Sequence, residues 1–282
     1  MSPLFLMVVA ERREENAEGV YRTMKIAKIK GKGSMLQLQL SDTNDWYVNV
    51  VRRLILSDVP TIAIEIVEIQ KNDSILYDEV LSHRLGLVPL TTDLKSYRLP
   101  SAEEIQTQEY LAQSSCKFTL EAKGPCIVYA KDLKSKDPKV KPAFPDMPLT
   151  KLLEGQEIRL EATAVMGVGR THAKWSPGHT FYRRIPEITI KSSNLACAQV
   201  CPTGTLADKG GKLQVTDEKT CILCMACVDV DSGKSVDVKP GTDFLLHVES
   251  YGQLESAEIV EKAIEVFNVQ LKEFDQLVKQ AE

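Results

Sequence analysis

At 282 residues, with 43% hydrophobic and 26% charged residues, the chain is long and apolar enough for a substantial core, which excludes wholesale disorder and a fibrous class. Thirty-five Lys and Arg against 39 Asp and Glu leave a formal net charge of −4, so the overall balance does not mark DNA as a main partner, and little or no direct DNA contact is expected. Seven cysteines, an odd number with five of them between Cys197 and Cys227, argue against a secreted disulfide framework and for metal or cluster binding in a reducing compartment.

Residues 1–19 read as an N-terminal extension, with Met24 as an alternative start. The apolar run "PLFLMVVA" (Pro3 to Ala10) is too short to span a bilayer, and "ERREE" follows where a signal peptide would show small residues. The expected location is cytoplasmic, with no membrane partner. "MKIAKIKGKGSMLQLQL" alternates with period 2 on either side of Gly31 to Gly33 and predicts a β-hairpin. In "SDTNDWYVNVVRRLILSDVP" the apolar residues Trp46, Tyr47, Val50, Val51, Leu54 and Ile55 recur at helical spacing, with Asp42 or Thr43 as N-cap and Pro60 as terminator. The β-branched "TIAIEIVEI" predicts a third strand over Thr61 to Ile69.

"ILYDEVLSHRLGLVPL" predicts a short helix ending at Gly86, and the proline-rich stretch from Leu99 to Pro148 predicts loops around the strands "CKFTLEAKG" and "CIVYAKD". Cys116 and Cys126 flank a predicted hairpin turn at Gly124-Pro125, as small core residues or, alternatively, a disulfide. "QEIRLEATAVMGVGRTHAKWSPGHTFYRRIPEITI" predicts two strands around a Gly-rich, aromatic connection. After the cysteine segment, "DFLLHVES" predicts a final strand and "SAEIVEKAIEVFNVQLKEFDQLVKQ" a long helix. Its apolar stripe of Val260, Ile264, Phe267, Leu271, Phe274 and Val278 advances in steps of four and three. Such a face packs on the chain's own core or forms a heptad-like seam for a partner helix.

The cysteine segment carries the most specific chemistry. Cys221, Cys224 and Cys227 have the C-x-x-C-x-x-C spacing that wraps three corners of an iron–sulfur cube, but Asp231 stands where a fourth cysteine belongs. Upstream, Lys191, Asn194, Cys197 and Cys201-Pro202 occupy the positions of a first ferredoxin motif. In two-cluster ferredoxins the fourth cysteine of each motif ligates the other motif's cluster. Cys201 therefore completes a site with Cys221, Cys224 and Cys227, for one [4Fe-4S] cluster or its [3Fe-4S] variant, while the site that would need Lys191, Asn194 and Asp231 is lost. Cys197 is left as a buried free thiol. Tetrahedral zinc is the alternative occupant, although structural zinc sites usually draw on two separate C-x-x-C knuckles. With no flavin or nucleotide fingerprint in the chain, a structural role for the cluster is favoured over a redox role.

No phosphate-loop, dinucleotide, H-E-x-x-H or G-x-S-x-G motif is present, and the four histidines are scattered, so no active site is expected in this chain. The rival class is an iron–sulfur electron-transfer or redox-sensing module fused to a dimerisation domain.

"NDWYVNVVRRLILSDVPTIAIEIVEI", "LYDEVLSHRLGLVPL" and "GVGRTHAKWSP", in this order, resemble the alpha-like subunits of cellular RNA polymerases, in particular the archaeal counterparts of the third-largest subunit of eukaryotic polymerase II. The resemblance runs from about Val20 to the C-terminus. It implies an α+β fold in which an alpha-like dimerisation domain (20–72 and 241–282) is interrupted by an inserted α+β subdomain (73–190) and a ferredoxin-like iron–sulfur domain (191–240). It also implies a non-catalytic scaffold subunit of DNA-directed RNA polymerase, a nucleotidyltransferase complex. The implied partners are the small alpha-like subunit L as heterodimer, then small zinc-binding subunits and the second-largest catalytic subunit. Carried over by position, Trp46, Tyr47, Val50, Val51 and Leu54 with Val260, Ile264, Phe267, Leu271, Phe274 and Val278 would form the L interface. Arg52 and Arg53 would face a large subunit or simply solvent, and "HAKWSPG" would be a second large-subunit contact anchored by Trp175.

Overall fold

The computed structural model of the protein describes residues 24–281 together with Glu14–Glu15 and Tyr21–Arg22, which pair as a short antiparallel ladder. The reading of residues 1–19 as an extension lies almost wholly outside the described residues.

Strands β1 (Lys25–Lys32) and β2 (Met35–Ser41) flank a turn in which Gly33 takes φ 64. Nothing lies within 4 Å of where a Cβ would stand at Gly33, so glycine serves the left-handed backbone there rather than a close approach. Alternation along β2 buries Leu36, Leu38 and Leu40. Helix α1 (Asp45–Ser57) begins after Asn44, whose carbonyl accepts from the Tyr47 and Val48 amides, and it buries Val48, Val51, Leu54 and Ile55. The predicted caps Asp42 and Thr43 thus lie just before the helix, with Asp42 itself at φ 57.

Strand β3 (Pro60–Asn72) leads to helix α2 (Asp78–Gly86), and helix α3 (Ala102–Thr107) precedes strand β4 (Ser115–Lys123). Two short strands follow, β5 (Cys126–Tyr129) and β6 (Lys134–Ser135), then β7 (Pro148–Leu152) and the long β8 (Glu157–Val168). They form a four-stranded sheet in the order β3-β8-β4-β6 and a two-stranded sheet β5-β7. β8 runs antiparallel to β3 from Ile158 opposite Asn72 to Val168 opposite Pro60, with register shifts after Arg159 and Thr163. Leu81 and Leu85 of α2 join Ile62, Ile64, Phe118, Leu120 and Leu160 in one buried core. The proline-rich stretch carries its own polar organiser: Ser101 and Glu104 of α3 form a reciprocal capping box.

Strand β9 (Gly178–Ile190) does not return to that sheet. It joins the order β9-β12-β2-β1, where β12 is Val236–Ser250. Strand pairing therefore joins β3 to the strands of the inserted segment and β9 to those outside it, whereas the resemblance implies boundaries at 72/73 and 190/191. Alternation is the same in either sheet, so the pattern could not say which neighbour a strand would take. The same limit applies to the Gly124-Pro125 hairpin. β4 already has β8 and β6 on its two sides, so β5 pairs with β7 instead. Cys116 is buried on β4, Cys126 is exposed on β5, and both are free thiols.

The cysteine segment folds as a small unit: α4 (Ala196–Gln199), the hairpin β10 (Leu206–Lys209) and β11 (Lys212–Val215), and α5 (Ala226–Asp229). Its buried core comprises only Cys197, Leu206, Leu213, Val236 and Val238. The last helix, α6 (Ser256–Ala281), buries Ile259, Val260, Ala263 and Ile264. No described helix is long and apolar enough to cross a membrane.

Candidate functional site

A single turn over Glu218–Thr220 delivers Cys221, after which Leu223 (φ 57) and Met225 (φ 63) adopt left-handed conformations before α5 carries Cys227. Backbone of this kind curls round its own side chains and turns amides toward them; the Leu223 N–H donates to Cys221 Sγ at 3.5 Å. Cys201 arrives from the loop after α4. The structure brings all four together: Cys201, Cys221, Cys224 and Cys227 line one concavity with Ile188, Thr203, Thr205, Leu206, Ile222, Met225 and Val238. Thr203 and Thr205 escaped the sequence reading, although their place directly after Cys201-Pro202 in "CPTGTL" was a usable signal.

The thiols differ in their surroundings. Burial raises the Cys201 thiol, but the amides of Leu206, Thr203 and Thr205 and the Thr203 hydroxyl outweigh it and hold the thiol below its ordinary value. Burial pushes the Cys227 thiol up, and neighbouring Cys201, Cys221 and Cys197 push it further, because negative sulfurs repel one another. Among the described residues no three His, Cys, Asp or Glu side chains gather as a single metal ion requires, so the thiols share a concavity without converging on a point. The donors fit an iron–sulfur cluster: sulfur ligands only, apolar walls and an amide aimed at sulfur.

Residues at the other positions of the ferredoxin pattern bond within the chain. The Lys191 ammonium donates to Gly233 O at 3.3 Å, and Asn194 Oδ1 accepts from the Ala196 amide at 3.1 Å. Cys197 is fully buried, its Sγ donates to Cys227 O at 3.4 Å, and burial with nearby Asp231 raises its thiol.

The residues expected at a partner face divide in two. On α1, Trp46 is 53% exposed and stacks edge-on against half-buried Tyr47 at 5.9 Å, Val50 is half-buried, and Arg52 and Arg53 are half-buried and exposed. Val51 and Leu54, by contrast, are taken up in this chain's own core. On α6, Val260 and Ile264 are likewise core, Phe267 and Leu271 are half-buried, and Phe274 (65% exposed) and Val278 face outward with Val269 and Leu277. The stripe is continuous, but the fold covers only its first half.

Trp175 is also internal, not a surface anchor. Its indole N–H donates to Val165 O at 3.0 Å, Thr61 Oγ donates to its carbonyl at 2.7 Å, and Lys174 Nζ sits 4.5 Å from the ring centroid. Gly167 makes room for it: a Cβ there would lie 2.4 Å from the ring. What "HAKWSPG" shows most fully to solvent is His172 and Ala173.

Residues 65–181 match the RNA polymerase Rpb3/RpoA insert domain family. Over 229 residues the chain is 39% identical to DNA-directed RNA polymerase subunit Rpo3 of Methanothermobacter thermautotrophicus, covering 78% of this chain and 86% of that one. The subunit of the same name from Methanosarcina acetivorans is 36% identical over 258 residues, covering 89% and 97%, and that of Pyrococcus furiosus 33% over 252, covering 86% and 92%. These matches give no support to the rival reading of an electron-transfer or redox-sensing module.

Proposed function

The chain belongs to the DNA-directed RNA polymerase subunit Rpo3 family, and from that premise we propose how it serves as a non-catalytic scaffold subunit of that nucleotidyltransferase complex. Its outward α1 residues Trp46, Tyr47 and Val50 and the exposed half of α6 bind the small alpha-like subunit L. The resulting pair docks small zinc-binding subunits and the second-largest catalytic subunit, in the cytoplasm. Nucleotide addition belongs to the large subunits. The observation that carries this reading is the run of Val269, Phe274, Leu277 and Val278 exposed together along the second half of one helix whose first half is buried.

Cys201, Cys221, Cys224 and Cys227 hold one [4Fe-4S] cluster, with [3Fe-4S] as the form after loss of one iron. When bound, the cluster supplies a covalent cross-link between the loop after α4 and the loop before α5. That role suits a unit whose buried core is five residues. The chain's own residues do the rest: the Leu223 amide points at sulfur, and Ile188, Leu206 and Val238 shield the site from water.

The test is expression with and without subunit L, recording oligomeric state together with iron, sulfide and zinc content. A soluble monomer indifferent to L overturns the scaffold interface. Stoichiometric zinc without sulfide overturns the cluster and puts tetrahedral zinc in its place.

A further inference from the structure

Consecutive residues on a strand point to opposite faces, and on β9 this sends two adjacent arginines to two different tasks. Arg184 reaches Asp45 at the start of α1, with Nε 3.3 Å from Oδ1, and Gly241 O at 3.2 Å. Arg183 goes the other way and donates through Nη1 to Cys221 O and through Nη2 to Lys219 O. A planar guanidinium can hold two carbonyls at once, whereas an ammonium acts as a point charge. Both acceptors are uncharged, so a full positive charge is fixed beside the loop that presents Cys221.

We infer that Arg183 is a positioning residue for the cluster site, an inference that rests on the cluster reading above. Because the peptide is planar and trans, holding the Cys221 carbonyl also sets the direction of the Ile222 N–H, and with it the start of the left-handed curl through Leu223 and Met225. Arg183 thereby holds the first ligand's backbone to strand β9, and its charge stabilises the more negative, reduced state of a thiolate-bound cluster.

The experiment uses the full chain co-purified with subunit L, as wild type, Arg183→Met and Arg183→Lys, with two readouts: iron loss to a chelator and the reduction midpoint. Arg183→Met is expected to lose iron about tenfold faster, the low end for an outer-shell partner. It is also expected to shift the reduction equilibrium about tenfold toward the oxidised form, or about 59 mV for a one-electron couple. Arg183→Lys is expected to keep the midpoint near wild type, because the charge remains, yet still to lose iron faster, because the fork is gone. Should Arg183→Met not yield folded chain, the split behaviour of Arg183→Lys decides. Wild-type values for both readouts in both variants overturn the role of Arg183 and leave the cluster reading intact. A wild-type chain without iron and sulfide overturns the cluster reading itself, and this inference with it.

Discussion

The side-chain amide of Asn194 donates to Asp231 Oδ2 at 3.2 Å, and both residues stand where a two-cluster ferredoxin would carry cysteines. Asp231 Oδ1 also accepts from the Lys234 and Ser235 amides at 3.0 and 3.2 Å. Hydrogen bonds from Ser235 and Asn194 hold the carboxyl at about 2. Asn194, Asp231 and the Lys234 and Ser235 amides thus form a polar clasp, with the buried Cys197 thiol near Asp231. Replacing Asp231 by Ala leaves those amides without their acceptor. Cys197 in the Asp231→Ala variant should then react with iodoacetamide under conditions where the wild-type thiol is protected. Equal protection, read by mass spectrometry, would sink the clasp.

Cys224→Ser should abolish the iron and sulfide content while leaving pairing with subunit L largely intact. Cys224 lines the thiol concavity, whereas the exposed apolar face belongs to the second half of α6. Loss of pairing in this variant, measured by size-exclusion chromatography, would contradict a division of labour between the two sites.

Along α6 the same hydrophobic pattern should give opposite phenotypes. Ile264→Ala removes buried methylenes and should cost about 2–5 kcal/mol of stability, seen as a lowered unfolding midpoint. Phe274→Ala should leave the midpoint of the isolated chain nearly unchanged but weaken binding to L by about 2 kcal/mol or more, as expected of an interface hot spot. Titration calorimetry separates the two.

Glu104 is buried and accepts from the Ser101 amide (2.8 Å), the Ser114 hydroxyl (2.6 Å), the Leu111 amide (3.0 Å) and Arg98 Nη1 (2.9 Å). The Ser101 amide first, then Ser114 and Leu111, hold its carboxyl well below the ordinary carboxylate range. A lowered native value means that its contribution is complete above the ordinary carboxyl value, about 4.3, and is lost as acid protonates the native group. Glu104→Gln should therefore be less stable than wild type at pH 7, and the gap should narrow as pH falls below about 4.3. A gap that stays constant, measured by urea unfolding across that range, would contradict it.

At Gly167, substitution by Ala puts a Cβ into the Trp175 ring. The expected cost is about 1–3 kcal/mol from overpacking, read as a lower thermal midpoint and a changed Trp fluorescence. An unchanged spectrum would contradict the assignment of Trp175 to the interior.

By itself the chain's sequence determined what is local. Period-2 and period-3.6 patterns located β1, β2, α1, α2, β4, β8 and α6, because the spacing of apolar residues reports which side chains share a face. Cysteine spacing pointed to Cys201 together with Cys221, Cys224 and Cys227, which line one concavity, because the ferredoxin pattern is a rule written in intervals. Periodicity does not say what covers a face, and there the tertiary structure decided. Val51, Leu54, Val260 and Ile264 went to this chain's own core, and Phe274 and Val278 did not. Trp175 was taken up by Gly167 and the carbonyl of Val165. Strands β3 and β9 were assigned to different sheets by pairing partners remote in the chain. Arg183 was invisible for the same reason: its partners, Lys219 and Cys221, are brought to it only when the backbone closes, and no interval in the sequence encodes that meeting.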